Sequence, residues 1–409
     1  MQEKHFNQLF KEESGKMASV LCKIFGLEHL DAIEDAIQES FISAFQTWKL
    51  RGLPDNPSAW LYRVAKNKIL NQIQSKKNRQ RILDDNRSVL PTVYILEAKW
   101  EEELKFLEDN TLQMLFAICH PKLSEDFQSA LALKILCGFT QNEIANAFLT
   151  SVETIQKRIY RAKQQIHNLK IQIQFPNEEE IENRIESVVK VLYLLFSQGY
   201  YSNSGDHLLR TDLIRESLRL SLLLSENEKC AKATVFALIA LISFHSSRLE
   251  SRKDSHGTIL SWNKQNPLDW NQELISKGKE YLTKSLAGSQ GLKFDYQVEA
   301  LIALIHTEPD FPNKWNELYT LYSQLFHATK NPMVNWNRIY TLFRASGAEV
   351  ALAELDQFKD APKNQFSELL RSKIWEGIDS KKSEEYFQSA LLLCGFEAER
   401  NTFRQNRDS

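Results

Sequence analysis

Gln156, Lys157, Tyr160 and Arg161 recur at three- and four-residue spacing, so a helix through "VETIQKRIYRAKQQI" turns all four to one side. Those side-chain types suit the reading of a nucleic-acid duplex. Arg and Gln carry paired hydrogen-bonding groups that match base edges in the major groove, and Lys brings a mobile charge for phosphate. Arg158 and Lys163 fall on the flanks of the same helix, better placed for the phosphate backbone. An isolated basic run is more often a solvated face, and that reading stands beside the first. Little else in the chain competes. Adjacent Cys119 and His120 lack a second ligand pair, so no metal site is expected. Without a Gly-rich phosphate loop or a nucleophile motif, an enzyme is the last reading and no cofactor is implied.

The elements that must hold those four residues are legible around them. Val152, Ile155, Ile159, Ala162 and Ile166 repeat at three-four spacing on the opposite side and form the expected buried stripe. Ser151 is placed to cap this helix at its start. The preceding "TQNEIANAFL" opens on Thr140 and Glu143, the T-x-x-E signature of a capping box. Before it, "LSEDFQSALALKILCGF" reads as a helix closed by Gly138. A short helix, a tight turn and a longer basic helix make a helix-turn-helix.

Composition agrees with an all-α protein. Gly and Pro number only 13 and 10 in 409 residues, and no sustained alternation marks a sheet. The net charge of −2 averages over patches rather than excluding a nucleic-acid partner. Arg63, Lys66, Lys68, Lys76, Lys77, Arg79, Arg81 and Arg87 face only Asp84 and Asp85 over one stretch, whereas "NEEEIENRIE" is acidic. Five scattered Cys without a C-x-x-C spacing read as reduced thiols of a cytoplasmic protein. The N-terminal stretch has no apolar signal core, and "ATVFALIALISF" is too short to span a bilayer, so no membrane association is expected.

Four segments follow from these patterns. Residues 1–76 read as three helices. In the second, Ile33, Ile37, Phe41, Ala44 or Phe45, and Trp48 form one stripe; "RGLPDNP" then breaks the chain before "SAWLYRVAKNKILNQIQ". Residues 77–100 read as a linker, 101–175 as the helix-turn-helix domain, and 178–409 as a helical extension entered through Pro176. Within it, "NPMVNWNRIYTLFRASGAEVALAELDQF" has the aromatic and small-residue placement of a tetratricopeptide-like hairpin, and "SEEYFQSALLL" matches half of another.

"SALALKILCGFTQNEIANAFLTSVETIQKRIYRAK" resembles region 4 of bacterial RNA polymerase sigma factors, and "DAIEDAIQESFISAFQTW…NPSAWLYRVAKNKILNQIQ" resembles their region 2. The chain leaves no room for the intervening region 3 or for region 1.1, which makes it similar to the extracytoplasmic-function (ECF) group of the sigma-70 family. "FAICHPKLS" and "YLLFSQGYYSNSGDHLLRTDLIRESLRL" look like the ECF subgroup with a long helical C-terminal extension. The resemblance implies a subunit that binds core RNA polymerase and directs it to promoter DNA. It implies that Asp35, Gln38 and Glu39 meet the polymerase clamp, that Asn67, Lys68 and Asn71 take a base flipped from the −10 element, and that Gln156, Lys157, Tyr160 and Arg161 read the −35 element. Trp60 and Tyr62, near the −10 set, serve equally well as core aromatics. One departure concerns the extension. The subgroup's "QDRS"-like stretch before a Trp is here "QNPLDW", Gln265 to Trp270, while "SRLESRKDSHG" retains Arg248, Arg252 and Asp254 for polar contacts. Regulation in cis is expected from the extension, through an intramolecular contact with the sigma domains. The competing reading is a stand-alone helix-turn-helix repressor or activator, which leaves "DAIEDAIQES" unexplained; a helical-repeat scaffold is a further one.

Overall fold

A computed structural model describes residues 3–83, 107–148, 150–200, 211–252, 260, 264–287, 295–358, 363–395 and 397–407. The expected linker beyond residue 83, Arg87, Asp254, the stretch 201–210 and the side chains from Lys76 to Arg81 lie outside the described residues. All regular elements among the described residues are helices. They form two compact units, Met1–Cys230 and Ala231–Ser409.

The first unit is built around α1, Glu3–Phe25. From Ser14 to Phe25 only Lys16 and Lys23 escape full burial, the signature of a helix covered on all sides. Its neighbours are α2 (Leu30–Arg51), α4 (Leu107–Ile118) and α5 (Glu125–Ile135), with a smaller contact to α3 (Pro57–Leu83). On α2 the stripe Ile33, Ile37, Phe41, Ala44 and Trp48 is buried, and Phe45 points outward. Gly52 ends α2 at φ 82°, and Asn56 accepts from the Ala59 N–H at the start of α3.

Two glycines allow α1 and α5 to touch. A β-carbon on Gly15 would stand 2.0 Å from the Leu136 carbonyl oxygen. Gly138 takes φ 63°, beside Ser14, and the Phe139 N–H reaches back to the Leu133 carbonyl. The chain then forms α6 (Gln141–Ala147) and α7 (Val152–Leu169). Next, α8 (Glu178–Tyr200) buries Ile181, Ile185, Val188 and Leu192 and packs on α4, α5 and α9 (Thr211–Glu226). Composition breaks at Pro176, yet the first unit closes only at Cys230, because α8 shares its apolar face with α4 and α5.

The second unit is centred on α10, Ala233–Ser246, whose buried residues run round the whole helix. It packs against α11 (Gln272–Leu286) and α12 (Asp295–Thr307). Beyond them α13 (Lys314–Thr329) joins α12 through Val298, Ile302, Leu318 and Leu325. The stretch from Asn331 forms a helical hairpin, α14 (Pro332–Ser346) and α15 (Ala348–Asp356), turned at Gly347 with φ 89°. Trp336, Ile339, Ala351 and Leu355 join it to α16 (Gln365–Trp375). The unit ends in α17 (Ser380–Leu393) and α18 (Glu397–Arg407), closed over Phe387, Leu391 and Phe403.

The Gly15 contact generates a test. Alanine is the better helix former by about 1 kcal/mol, so Gly15→Ala should stabilise a solvent-facing helix. Against the Leu136 carbonyl it should instead destabilise the chain, by roughly 1–3 kcal/mol in urea unfolding. A gain in stability would show that α1 and α5 do not approach this closely.

Candidate nucleic-acid interface

The helix-turn-helix is assembled by its caps. The Thr140 N–H donates to Glu143 Oε2 at 2.8 Å, and the Glu143 N–H donates to Thr140 Oγ1 at 3.2 Å, the reciprocal pair the sequence predicts. Ser151 Oγ accepts from the Thr154 N–H at 3.2 Å and starts α7. Ile155, Ile159, Ala162 and Ile166 are buried against α5 and α6, and Val152 is half-buried.

This burial fixes what faces outward. Gln156, Lys157, Tyr160 and Arg161 are all exposed, Tyr160 by 66%. An aromatic ring left so bare on an otherwise well-packed helix has its apolar surface available to a partner. Gln156 is steadied by donating to Gln141 Oε1 at 2.9 Å, across the turn. The four residues form one continuous surface of donors, cation and ring.

The two flanking cations are held differently. Arg158 pairs with Asp126 of α5 at 3.1 Å and lies over the Phe148 ring. Lys163, whose side chain is 16% exposed, sits between Asp31 at 2.5 Å and Glu34 at 2.7 Å, both on α2. The residues expected on phosphate are thus occupied by carboxylates, which present a similar anionic surface. Sequence spacing could not reveal this, since the Lys163 partners lie more than a hundred residues upstream.

On α2, Asp35, Gln38 and Glu39 are exposed, as their place off the apolar stripe requires. Beside them an apolar groove of about 450 Å³ is lined by Phe6, Phe10, Gln38, Phe41, Ile42 and Phe45. Ile42 and Phe45 project into solvent at its edge. On α3, Asn67 and Asn71 are exposed one helical turn apart, and Lys68 donates to Glu39 Oε2 at 2.6 Å. Two residues assigned to different partners therefore meet each other. Trp60 is half-buried and packs edge-on against Trp48 at 5.4 Å, and Tyr62 belongs to the core. Among the described residues no group of three His, Cys, Asp or Glu side chains could hold a metal ion, and no helix is long and apolar enough to cross a membrane.

Comparison with known proteins matches three stretches of this chain to families. Residues 9–79 match Sigma-70 region 2 and residues 115–166 match Sigma-70, region 4. Residues 184–286 match a family of unknown function, DUF6596. The chain is 29% identical to the ECF RNA polymerase sigma-E factor of Haemophilus influenzae over 40% of its own length and 87% of that protein. It is 28% identical to the ECF RNA polymerase sigma-E factor of Escherichia coli K12, over 41% and 86%. The chain belongs to the ECF group of the sigma-70 family. A Rhizobium meliloti relative, uncharacterized protein R00370, is 30% identical over 80% of this sigma factor and 77% of its own length, so the likeness continues into the extension. No solved structure gives a significant match. As an ECF sigma factor the chain is a non-enzymatic initiation protein, and α7 is the second helix of the helix-turn-helix within its region 4.

Lys163 gives this site a pH signature. Burial opposes its charge, but Glu34 and Asp31 outweigh that and raise its pKa above the ordinary 10.5. A raised cation contributes stability that is full below its unfolded pKa and is lost as pH rises through the folded one. The stability difference between the wild type and Lys163→Met should therefore be constant through neutral pH and close only above the ordinary lysine range. Urea midpoints measured across alkaline pH check this, and a difference already closing near neutrality would exclude the bridge.

Proposed function

We propose that this sigma factor binds core RNA polymerase and carries it to specific promoters, reading the −35 element with Gln156, Lys157, Tyr160 and Arg161 of α7. The observation that carries the reading is the division of that helix, with Ile155, Ile159, Ala162 and Ile166 buried and these four exposed. Arg161 and Gln156 have the geometry to fork onto base edges, and Lys157 reaches phosphate. Arg158 and Lys163 contact phosphate once they exchange their carboxylates for it. Asn67, Lys68 and Asn71 take the flipped −10 base, for which an exposed amide supplies both donor and acceptor. Asp35, Gln38 and Glu39 meet the polymerase clamp, and the neighbouring groove with Ile42 and Phe45 supports a macromolecular contact there. In domain terms, 1–76 serves polymerase and the −10 element, 101–175 the −35 element, and 178–409 regulation, all in the cytoplasm.

Run-off transcription with core polymerase and a promoter library tests this. Arg161→Ala should cost roughly 1–3 kcal/mol at one −35 position and relax selection there, whereas Lys157→Ala should weaken all promoters alike and flatten the salt dependence. Unchanged selectivity in Arg161→Ala removes α7 as the reader.

We further infer that the extension regulates the sigma domains in cis. Supporting this, Arg184 of α8 donates to the Phe116 carbonyl of α4 at 3.3 Å, and Lys190 of α8 pairs with Glu125 of α5. An extension that contacts the sigma domains differently in two states shifts the balance between them. Because α8 and α9 belong to the first unit, the informative truncation ends at Cys230, not at Pro176. That protein should bind core polymerase with altered affinity or open promoters at an altered rate. Identical affinity, rate and promoter choice would dismiss regulation by the second unit.

A further inference from the structure

In the second unit the stretch after α10 meets the stretch before α11: the Asn271 N–H donates to the Ser247 carbonyl at 2.9 Å. This bond joins the backbone positions next to Arg248 and Trp270 in the chain. Arg248 is 6% exposed, its Nε–H meets no acceptor, and it enters no ion pair among the described residues. Trp270 is 4% exposed, and its indole N–H likewise has no acceptor. Both orphans are donors, so both lack an acceptor of the same kind.

The surrounding charge has the same sign. Burial, then Arg248, Arg252 and His306, hold the His245 imidazole well below its usual range. Burial, then Arg248 and Lys314, press His306 down to about 3. Burial and Arg248 lower Lys314 to about 8, against the opposite pull of Asp310 and Glu308. The buried guanidinium of Arg338 in this unit is compensated: it donates to Asn335 Oδ1 at 3.0 Å and to Glu354 Oε1 at 2.5 Å. Leaving one charge of this kind unpaired costs several kcal/mol, so an unpaired buried arginine calls for a counter-ion. Access exists at one side, where Trp270 walls a cleft of about 380 Å³ with Ile275, Thr307 and Phe311. The acids of that cleft are Glu308, paired with Lys279 at 2.7 Å, and Asp310.

We propose that Arg248 and Trp270 form the floor of an anion-binding site, which takes a small molecule bearing one carboxylate or phosphate group. The oxygens accept from the guanidinium and the indole N–H, and the apolar wall of the cleft receives the remainder of the ligand.

Thermal unfolding of the full chain tests it, with inorganic phosphate or butyrate as the probe and chloride at equal ionic strength as the control. At about ten times its dissociation constant, the effective probe should raise the wild-type midpoint by about 2–4 °C over chloride. Which probe acts separates a phosphate site from a carboxylate site. Arg248→Met should abolish the rise and, in chloride, unfold no lower than the wild type, because it removes an uncompensated buried charge. Should Arg248→Met fail to fold, Trp270→Phe keeps the ring, loses one donor and should reduce the rise. No rise in the wild type with either probe, or an equal rise in the variants, overturns the site.

Discussion

Between Gly15 and the Leu136 carbonyl there is room for a hydrogen and nothing larger. That constraint lets α1 serve two groups of helices at once, α2 and α3 on one side and α4 and α5 on the other. Because α1 is buried nearly all round, neither group keeps its present core without it. The polar ties at the margin follow from the same approach. Lys23, near the end of α1, donates to Gln113 Oε1 at 2.7 Å and to the Ile173 carbonyl at 2.8 Å. Lys163 reaches α2 at the other margin. The outer face of α7, with Gln156, Lys157, Tyr160 and Arg161, remains exposed while Lys163 is engaged.

Magnitudes decide what each part of this contact contributes. Exposed ion pairs are worth about 0–1 kcal/mol, and Asp31 remains 82% exposed. The bridge therefore selects an arrangement rather than holding it. Strength comes from the apolar side chains of α1, Met17, Val20 and Leu21 among them, at roughly 1.5–3 kcal/mol for each fully buried residue. On the proposed function, a DNA phosphate would compete with Asp31 and Glu34 for one ammonium. Small changes elsewhere in the unit can tip a balance of that kind.

What the sequence revealed and what it hid divide along physical lines. The α7 stripe, the Thr140–Glu143 box, the Ser151 cap and the turn at Gly138 were all readable, because each depends on residues within one or two helical turns. Whether Ala44 or Phe45 faces inward was open, since both satisfy three-four spacing; Ala44 is buried and Phe45 exposed. The engagement of Lys163 and Arg158 and the role of Gly15 were hidden, because their partners are remote in the chain. Pro176 is a true break in the helix pattern, but a break in the chain does not mark where burial ends. The apolar face of α8 needs α4 and α5, and that need carries the first unit to Cys230.

Charge illustrates the same divide within the second unit. Arg338 and Arg248 are both buried arginines, and residue type alone does not separate them. Arg338 lies one helical turn from Asn335, near Glu354 and against the rings of Tyr319 and Phe326, so guanidinium edge and face are both satisfied. Arg248 follows the end of α10, where the apolar run of that helix gives way and its charge acts on His245, His306 and Lys314. A fold can bury an arginine for packing alone only if a carboxylate or carbonyl repays the lost water. Where none does, the unit carries a local excess of positive charge that a net charge of −2 conceals. An anion at the proposed site would offset that excess.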